Sequence, residues 1–114
     1  MVSLNKQLVT PSSADNADSS NGQEDHVSMG ANAAIKLWKI LDNAEQVLAI
    51  EAMCAGQASD LNTERSMSPR LAELQVDLRK TVPYLKEDVF MKPLIDASLV
   101  WLRKNTPESI SPCR

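Results

Sequence analysis

The sequence predicts an all-α chain, with one long core helix followed by two shorter helices and an irregular N-terminal segment in front. Three observations carry this. Apolar residues make up 43% of the chain and aromatics only 4%, so the apolar content is mostly Ala, Leu, Val, Ile and Met, a mix that favours helices. From about residue 26 those residues recur at spacings of three and four, the period of a helix face. The residues that favour turns gather before that point, in Thr10–Gly22, TPSSADNADSSNG.

Taken in order, residues 1–25 read as irregular, and the stretch Thr10–Gly22 on composition alone as a disordered tail. Asp25 can N-cap a helix that begins at about His26. One apolar stripe then runs through Ala31, Ala34, Trp38, Leu41, Leu48, Ala52 and Ala55, and a second through Ala33, Leu37, Ile40, Ala44 and Val47. Two stripes cover more than one face, and Val47–Ile50 is apolar all round. No proline interrupts residues 26–68, which predicts a single helix of about 30 residues, roughly 45 Å long. A helix apolar on most of its circumference is buried on most sides. The rest of this chain is too short to cover it, so burial in a larger assembly is expected.

Residues 59–67, SDLNTERSM, read as a connection. Ser68 caps a second helix whose first position is Pro69, where the missing amide costs nothing. Its stripe is Leu71, Leu74, Leu78 and Val82, and it stops before Pro83. A short acidic turn follows. Pro93 starts a third helix that runs to about Lys104, and residues 105–114 read as a loose tail. The expected organisation is therefore an irregular segment over 1–25, a helical segment over 26–104 and a tail over 105–114, with no internal repeat.

Composition excludes several functions. A length of 114 residues allows one domain at most. Residues 1–30 carry Lys6 against Asp15, Asp18, Glu24 and Asp25, which accounts for the whole net charge of −3, and the remainder is balanced. With no basic patch, nucleic acid is not an expected partner. Cys54 lies within the apolar helical pattern and Cys113 near the end. Neither stands at zinc-ligand spacing, so two reduced thiols, one buried and one loose, are expected. No signal peptide is visible and no run approaches the apolar length of a membrane span, so a cytoplasmic protein that does not enter the membrane is expected.

The one cluster that points to chemistry is Gln23-Glu24-Asp25-His26, where the irregular segment enters the long helix. One reading is a capping segment with acidic residues at the positive end of the helix dipole. The other is a carboxylate held at a helix start and facing a pocket. His26 is the only histidine, and no metal site is expected, because no second ligand at helical spacing accompanies it.

The run Gln23–Gly30, QEDHVSMG, resembles the signature of histidine ammonia-lyases, a branch of the aromatic amino-acid ammonia-lyase family. The match continues on both sides without a gap. Val2-Ser3 and Asn5-Lys6 resemble the family's V-S-E-N-K, with Leu4 in place of Glu. Pro11, Ser13, Asp15 and Ser20 fit its P-A-S-V-D-S-x-x-T-S. Asn43–Glu51, NAEQVLAIE, is similar to N-V-E-x-V-L-A-I-E, and Val82–Asp88, VPYLKED, to V-P-F-L-E-E-D. Related phenylalanine and tyrosine lyases carry N-Q-D or similar at the signature, so Glu24 and His26 indicate the histidine branch.

The resemblance covers about residues 1–104 and implies the C-terminal part of a much longer, all-helical homotetramer. Such enzymes convert L-histidine to urocanate and ammonia. Their electrophile, 4-methylideneimidazol-5-one, forms from an internal Ala-Ser-Gly, and a tyrosine elsewhere removes the β-proton. It further implies that Glu24 lies beside the bound histidine and that Gln23 shapes the same wall. A carboxylate suits that place, since it accepts hydrogen bonds from, or pairs with, a cationic nitrogen.

Departures from the pattern limit what this chain does. Ala-Ser-Gly is absent; the nearest triads are Ala58-Ser59-Asp60 and Ala97-Ser98-Leu99. Val89 replaces the family's Arg, Leu94 its Asp, and Asp18 and Ala17 its Pro and Ile in the approach loop. No cofactor is expected within this chain, and no catalysis by it alone. A homo-oligomer, or co-assembly with the rest of a lyase, is the expected partner arrangement, with L-histidine bound only where the site is completed. The alternatives are a helical oligomerisation or interaction module and a gene remnant.

Overall fold

The computed structural model describes residues 1–14, 18–23, 27–62, 64 and 66–105. Its helices are α1 (Val2–Leu8), α2 (Gly30–Leu61), α3 (Pro69–Thr81) and α4 (Lys92–Lys104), with short 3-10 turns at Ser12–Ala14 and Ser20–Gly22. No β-strand occurs among the described residues, so the all-α expectation holds. The chain divides into two compact units, Met1–Val47 and Leu48–Arg114.

In the second unit the core is Met53, Leu78 and Val82, with Met91, Leu94, Ile95, Ala97 and Trp101 packed against it. α2 contributes Ala49, Met53 and Gly56 as its buried positions. Their spacing of four and three residues keeps them on one helix face. Gly56 sets how closely α3 approaches. A Cβ built there would lie 2.7 Å from Leu78 Cδ2, 3.3 Å from Gln75 Oε1 and 3.5 Å from Arg79 Nη2. A glycine costs about 1 kcal/mol of helix propensity against alanine, and here it makes room for a side chain of the core.

Polar bonds finish the contact. Gln75 Nε2 donates to the Gly56 carbonyl at 2.9 Å and to Asp60 Oδ1 at 2.7 Å. Arg79 Nε donates to Asp60 Oδ2 at 2.7 Å, and its Nη1 to the carbonyls of Val82 and Pro83. Gln57 pairs with the backbone of Leu85, its Nε2 donating to the carbonyl at 2.9 Å and its Oε1 accepting from the amide at 3.1 Å. The turn that follows α3 is thereby fixed to α2. α4 is joined to α2 by Ser98, which is fully buried and donates its hydroxyl to the Ala49 carbonyl at 2.7 Å.

Boundaries match closely for α3 and α4. Ser68 Oγ accepts from the Leu71 amide at 3.4 Å and Pro69 opens α3, as its cap chemistry predicts. α2 differs from expectation at both ends. It starts at Gly30 rather than about His26, with the Met29 carbonyl accepting from Ala33 at 3.0 Å. Starting on glycine keeps that residue out of the helix interior, where it is least favourable. α2 also runs on to Leu61, through residues expected to be a connection. Asp60 is the reason, since its carboxylate holds Arg79 and Gln75 from the last turn. In the N-terminal segment expected to be irregular, residues 2–8 form a helix. Cys54 is a free thiol, exposed rather than buried, because it lies off the face defined by Ala49, Met53 and Gly56. Cys113 lies outside the described residues.

Asp77 on α3 accepts from Lys80 Nζ at 3.1 Å, Trp101 Nε1 at 2.9 Å and Asn105 Nδ2 at 3.3 Å. These donors, Lys80 first and Trp101 next, hold its carboxyl below the ordinary carboxylate pKa. A carboxyl with a depressed folded pKa adds stability that is complete above the unfolded value of about 3.9 and is lost as pH falls through the folded value. The second unit is therefore expected to lose stability below about pH 4, and Asp77→Asn to flatten that part of the profile. Equal acid slopes for both proteins in denaturant titrations would contradict this.

Packing gives a second test. Leu78→Ala is expected to cost about 2–4 kcal/mol of stability. Val76→Ala, at a position 64% exposed on the same helix, is expected to change it by less than about 0.5 kcal/mol. Denaturant melts of the two variants compare them directly.

Candidate substrate-facing segment

The residues singled out by sequence lie in the first unit, between α1 and α2. Gln23 is exposed and immediately follows a turn with an unusual backbone. Ser20, Asn21 and Gly22 have φ of 54°, 58° and 77°, three successive left-handed residues. Glycine takes that conformation without steric cost, and asparagine more readily than most residues. The turn closes through Gly22 N–H to the Ser19 carbonyl at 3.1 Å and Gln23 N–H to the Ser20 carbonyl at 3.2 Å. Glu24, Asp25 and His26 lie outside the described residues, so the predicted Asp25 cap and the place of Glu24 do too.

Around this segment α1 and the residues after it are tied to α2. Asn43 Nδ2 donates to Asn5 Oδ1 at 2.7 Å, and Asn5 Nδ2 donates to the Ile40 carbonyl at 3.5 Å. Lys36 Nζ donates to the Thr10 carbonyl at 2.6 Å. A shallow groove runs beside these bonds, lined by Leu8, Val9 and Pro11 on one side and Ala33, Leu37 and Ile40 on the other. Lys36 was not singled out by sequence; Asn5 and Asn43 appear there only as parts of motifs. Their one signal was polar side chains placed where the segment and the helix must meet.

The aromatic amino acid lyase family model matches residues 1–80. The chain belongs to that family. The histidine ammonia-lyase of Anaeromyxobacter sp. (strain K) is 47% identical over 88 residues, which is 77% of this chain and 17% of that protein. The histidine ammonia-lyase of Photorhabdus laumondii subsp. laumondii is 39% identical over 112 residues, 98% of this chain and 22% of that one. The crystal structure of histidine ammonia-lyase from Trypanosoma cruzi matches with a TM-score of 0.82 at 36% identity, over 90% of this chain and 20% of that one. This chain thus spans about a fifth of the length of the lyases it matches. These matches bear out the expected resemblance to histidine ammonia-lyase.

The electrophile that the resemblance implies needs an Ala-Ser-Gly, and the residues present do not fit it. Ser98 is buried within α4, gives its hydroxyl to Ala49, and is followed by Leu99. Ser59 lies near the end of α2 and is followed by Asp60, whose carboxylate is taken by Gln75 and Arg79. Tyr84, the only tyrosine, stands partly exposed in the turn after α3. Among the described residues no group of three His, Cys, Asp or Glu could hold a metal ion. No described helix is long and apolar enough to cross a membrane.

The left-handed turn can be tested alone. Gly22 has open space around its missing Cβ, so only the backbone resists a side chain. Gly22→Ala is expected to cost about 1–2 kcal/mol locally, seen as faster amide exchange at Gln23. Gly22→Asn is expected to cost less. An unchanged exchange rate in the alanine variant would show that the turn relaxes without penalty.

Proposed function

We propose that this chain is the histidine-facing and helical C-terminal portion of a histidine ammonia-lyase, cytoplasmic, and not catalytic by itself. The observation that carries the reading is the gapless signature QEDHVSMG at the junction of the left-handed turn and α2. It is supported by histidine ammonia-lyase relatives that span nearly the whole chain. On this reading Gln23 and Glu24 line the wall of the substrate pocket. Glu24 accepts hydrogen bonds from, or pairs with, a cationic nitrogen of L-histidine, and Gln23 shapes the adjoining surface. These residues bind and orient the substrate. The electrophile that captures the substrate and the base that takes its β-proton belong to polypeptide other than these 114 residues.

The exposed apolar side chains support a larger assembly. Ile35, Leu37, Trp38 and Leu41 are all more than half exposed on α2, Trp38 at 71%. That is the long helix expected to be buried on most sides. Its cover, on this reading, is the remainder of the lyase and further copies of it. A helical interaction module would show the same exposed face, and activity on mixing separates the two.

Two measurements check the reading. Urocanate formation is expected when the chain is part of an assembly that supplies the Ala-Ser-Gly segment, and none is expected from the 114 residues alone. In that assembly Glu24→Ala is expected to lower kcat/KM for L-histidine by about tenfold or more, the loss of at least one charge-assisted contact. In the isolated chain the same substitution is expected to change stability by under about 1 kcal/mol. A wild-type kcat/KM in Glu24→Ala would remove Glu24 from the site.

A further inference from the structure

We propose that the groove beside α1 and α2 is a binding site for a small carboxylate with an aliphatic body, its carboxylate on the Lys36 ammonium and its body between Val9 and Leu37. The inference is independent of the substrate-facing reading of Gln23 and Glu24.

The size of the groove selects a small molecule. Its volume is about 340 Å³, at the lower end of the roughly 300–1,000 Å³ that small-molecule sites offer. Along α2 it runs from Ala33 to Ile40, seven residues or about 10 Å of helix. The walls select an aliphatic body. Val9 and Pro11 on one side and Ala33, Leu37 and Ile40 on the other carry no aromatic ring and no charge. Val9 is 67% exposed and Leu37 55%, so an occupant removes apolar surface from water that the chain itself leaves open.

Charge selects the other end of the ligand. Lys36 lines the same groove and gives one proton to the Thr10 carbonyl at 2.6 Å. An ammonium carries three donors. Among the described residues no carboxylate forms an ion pair with it. The Thr10 bond holds this cation against apolar walls, where its attraction for an anion is stronger than in open water. Ser12 lines the groove too, and its hydroxyl adds a neutral donor.

The pairing of one cation with aliphatic walls excludes neighbouring chemistries. A phosphate leaves the walls unused, and a neutral hydrocarbon leaves the ammonium unused. The imidazole of L-histidine or urocanate lies against these walls without a hydrogen-bond partner, which is costly, and L-histidine also brings a second ammonium to Lys36. Leu37 belongs to the face assigned above to the assembly, so the site is tested on the chain by itself.

The experiment titrates octanoate into the isotope-labelled chain and follows backbone amide shifts, with octanol, L-histidine and urocanate as comparisons and helicity checked for each variant. Saturable shifts are expected at Val9, Thr10, Ala33 and Leu37. Octanol is expected to bind there about tenfold more weakly, for want of the charge-assisted contact, and L-histidine and urocanate more weakly than octanoate. Lys36→Met is expected to reduce octanoate to the affinity of octanol, and Lys36→Arg to preserve it. Val9→Ser, which leaves the Lys36–Thr10 bond in place, is expected to weaken octanoate and octanol alike. The proposal is overturned by an absence of saturable shifts, by shifts centred on Trp38 instead of the groove, or by equal affinity for octanoate and octanol. Undiminished octanoate binding in Val9→Ser overturns it as well, whatever the effect of Lys36→Met on helicity.

Discussion

The missing Cβ at Gly56 is the constraint that lets α3 pack against α2 in the second unit. With no Cβ on Gly56, Leu78 enters the space beside α2 and is left only 3% exposed. Arg79 Nη2 also comes near the same spot, buried and without a hydrogen-bond partner among the described residues. The other guanidinium nitrogens are well used, on Asp60 and on the carbonyls of Val82 and Pro83. A fork that reaches both a carboxylate and the end of its own helix fixes α3 along its axis as well as across it. The turn after α3 is pinned by Gln57, and α4 by Ser98 on Ala49 and Trp101 on Asp77.

The first unit is built differently. Among its described residues none is buried by the same measure as the core of the second unit, and what is visible is a set of polar bonds along one face of α2. A segment held by hydrogen bonds to one helix face can be set in place without a core of its own, provided that its partners are rigid. The large side chains of that stretch, Trp38 first among them, face outward. A protein with apolar surface of this kind is stabilised by whatever covers it.

Legibility in the sequence followed the range of the interactions. α3 and α4 were readable nearly to the residue, because Ser68, Pro69, Pro83 and Pro93 act on their own neighbours. The end of α2 was not, because its last turn is held by Arg79 and Gln75, some fifteen to twenty residues away. α1 was hidden for the same reason, since Asn5 finds its partner 38 residues on. Cys54 was misplaced because two overlapping apolar stripes on α2 gave no single inward face. At the candidate site the residue types were legible only through the eight-residue signature. The chemistry of Gln-Glu-Asp-His alone fits a helix cap equally well.

The Ser98–Ala49 bond carries a consequence for the order in which the second unit is assembled. It joins residues 49 apart, whereas the Trp101–Asp77 bond between α3 and α4 spans 24. Closing a loop costs about 0.6 kcal/mol more for each doubling of its length, so the α3–α4 hairpin is the less costly closure by roughly that amount. The contacts of α3 with α2 span less again, 15 residues from Gln75 to Asp60 and 19 from Arg79 to Asp60, so the Ser98 bond that seats α4 on α2 is the most costly closure of the set. Ala49 is small and fully buried, so α4 meets little bulk where it comes to rest on α2.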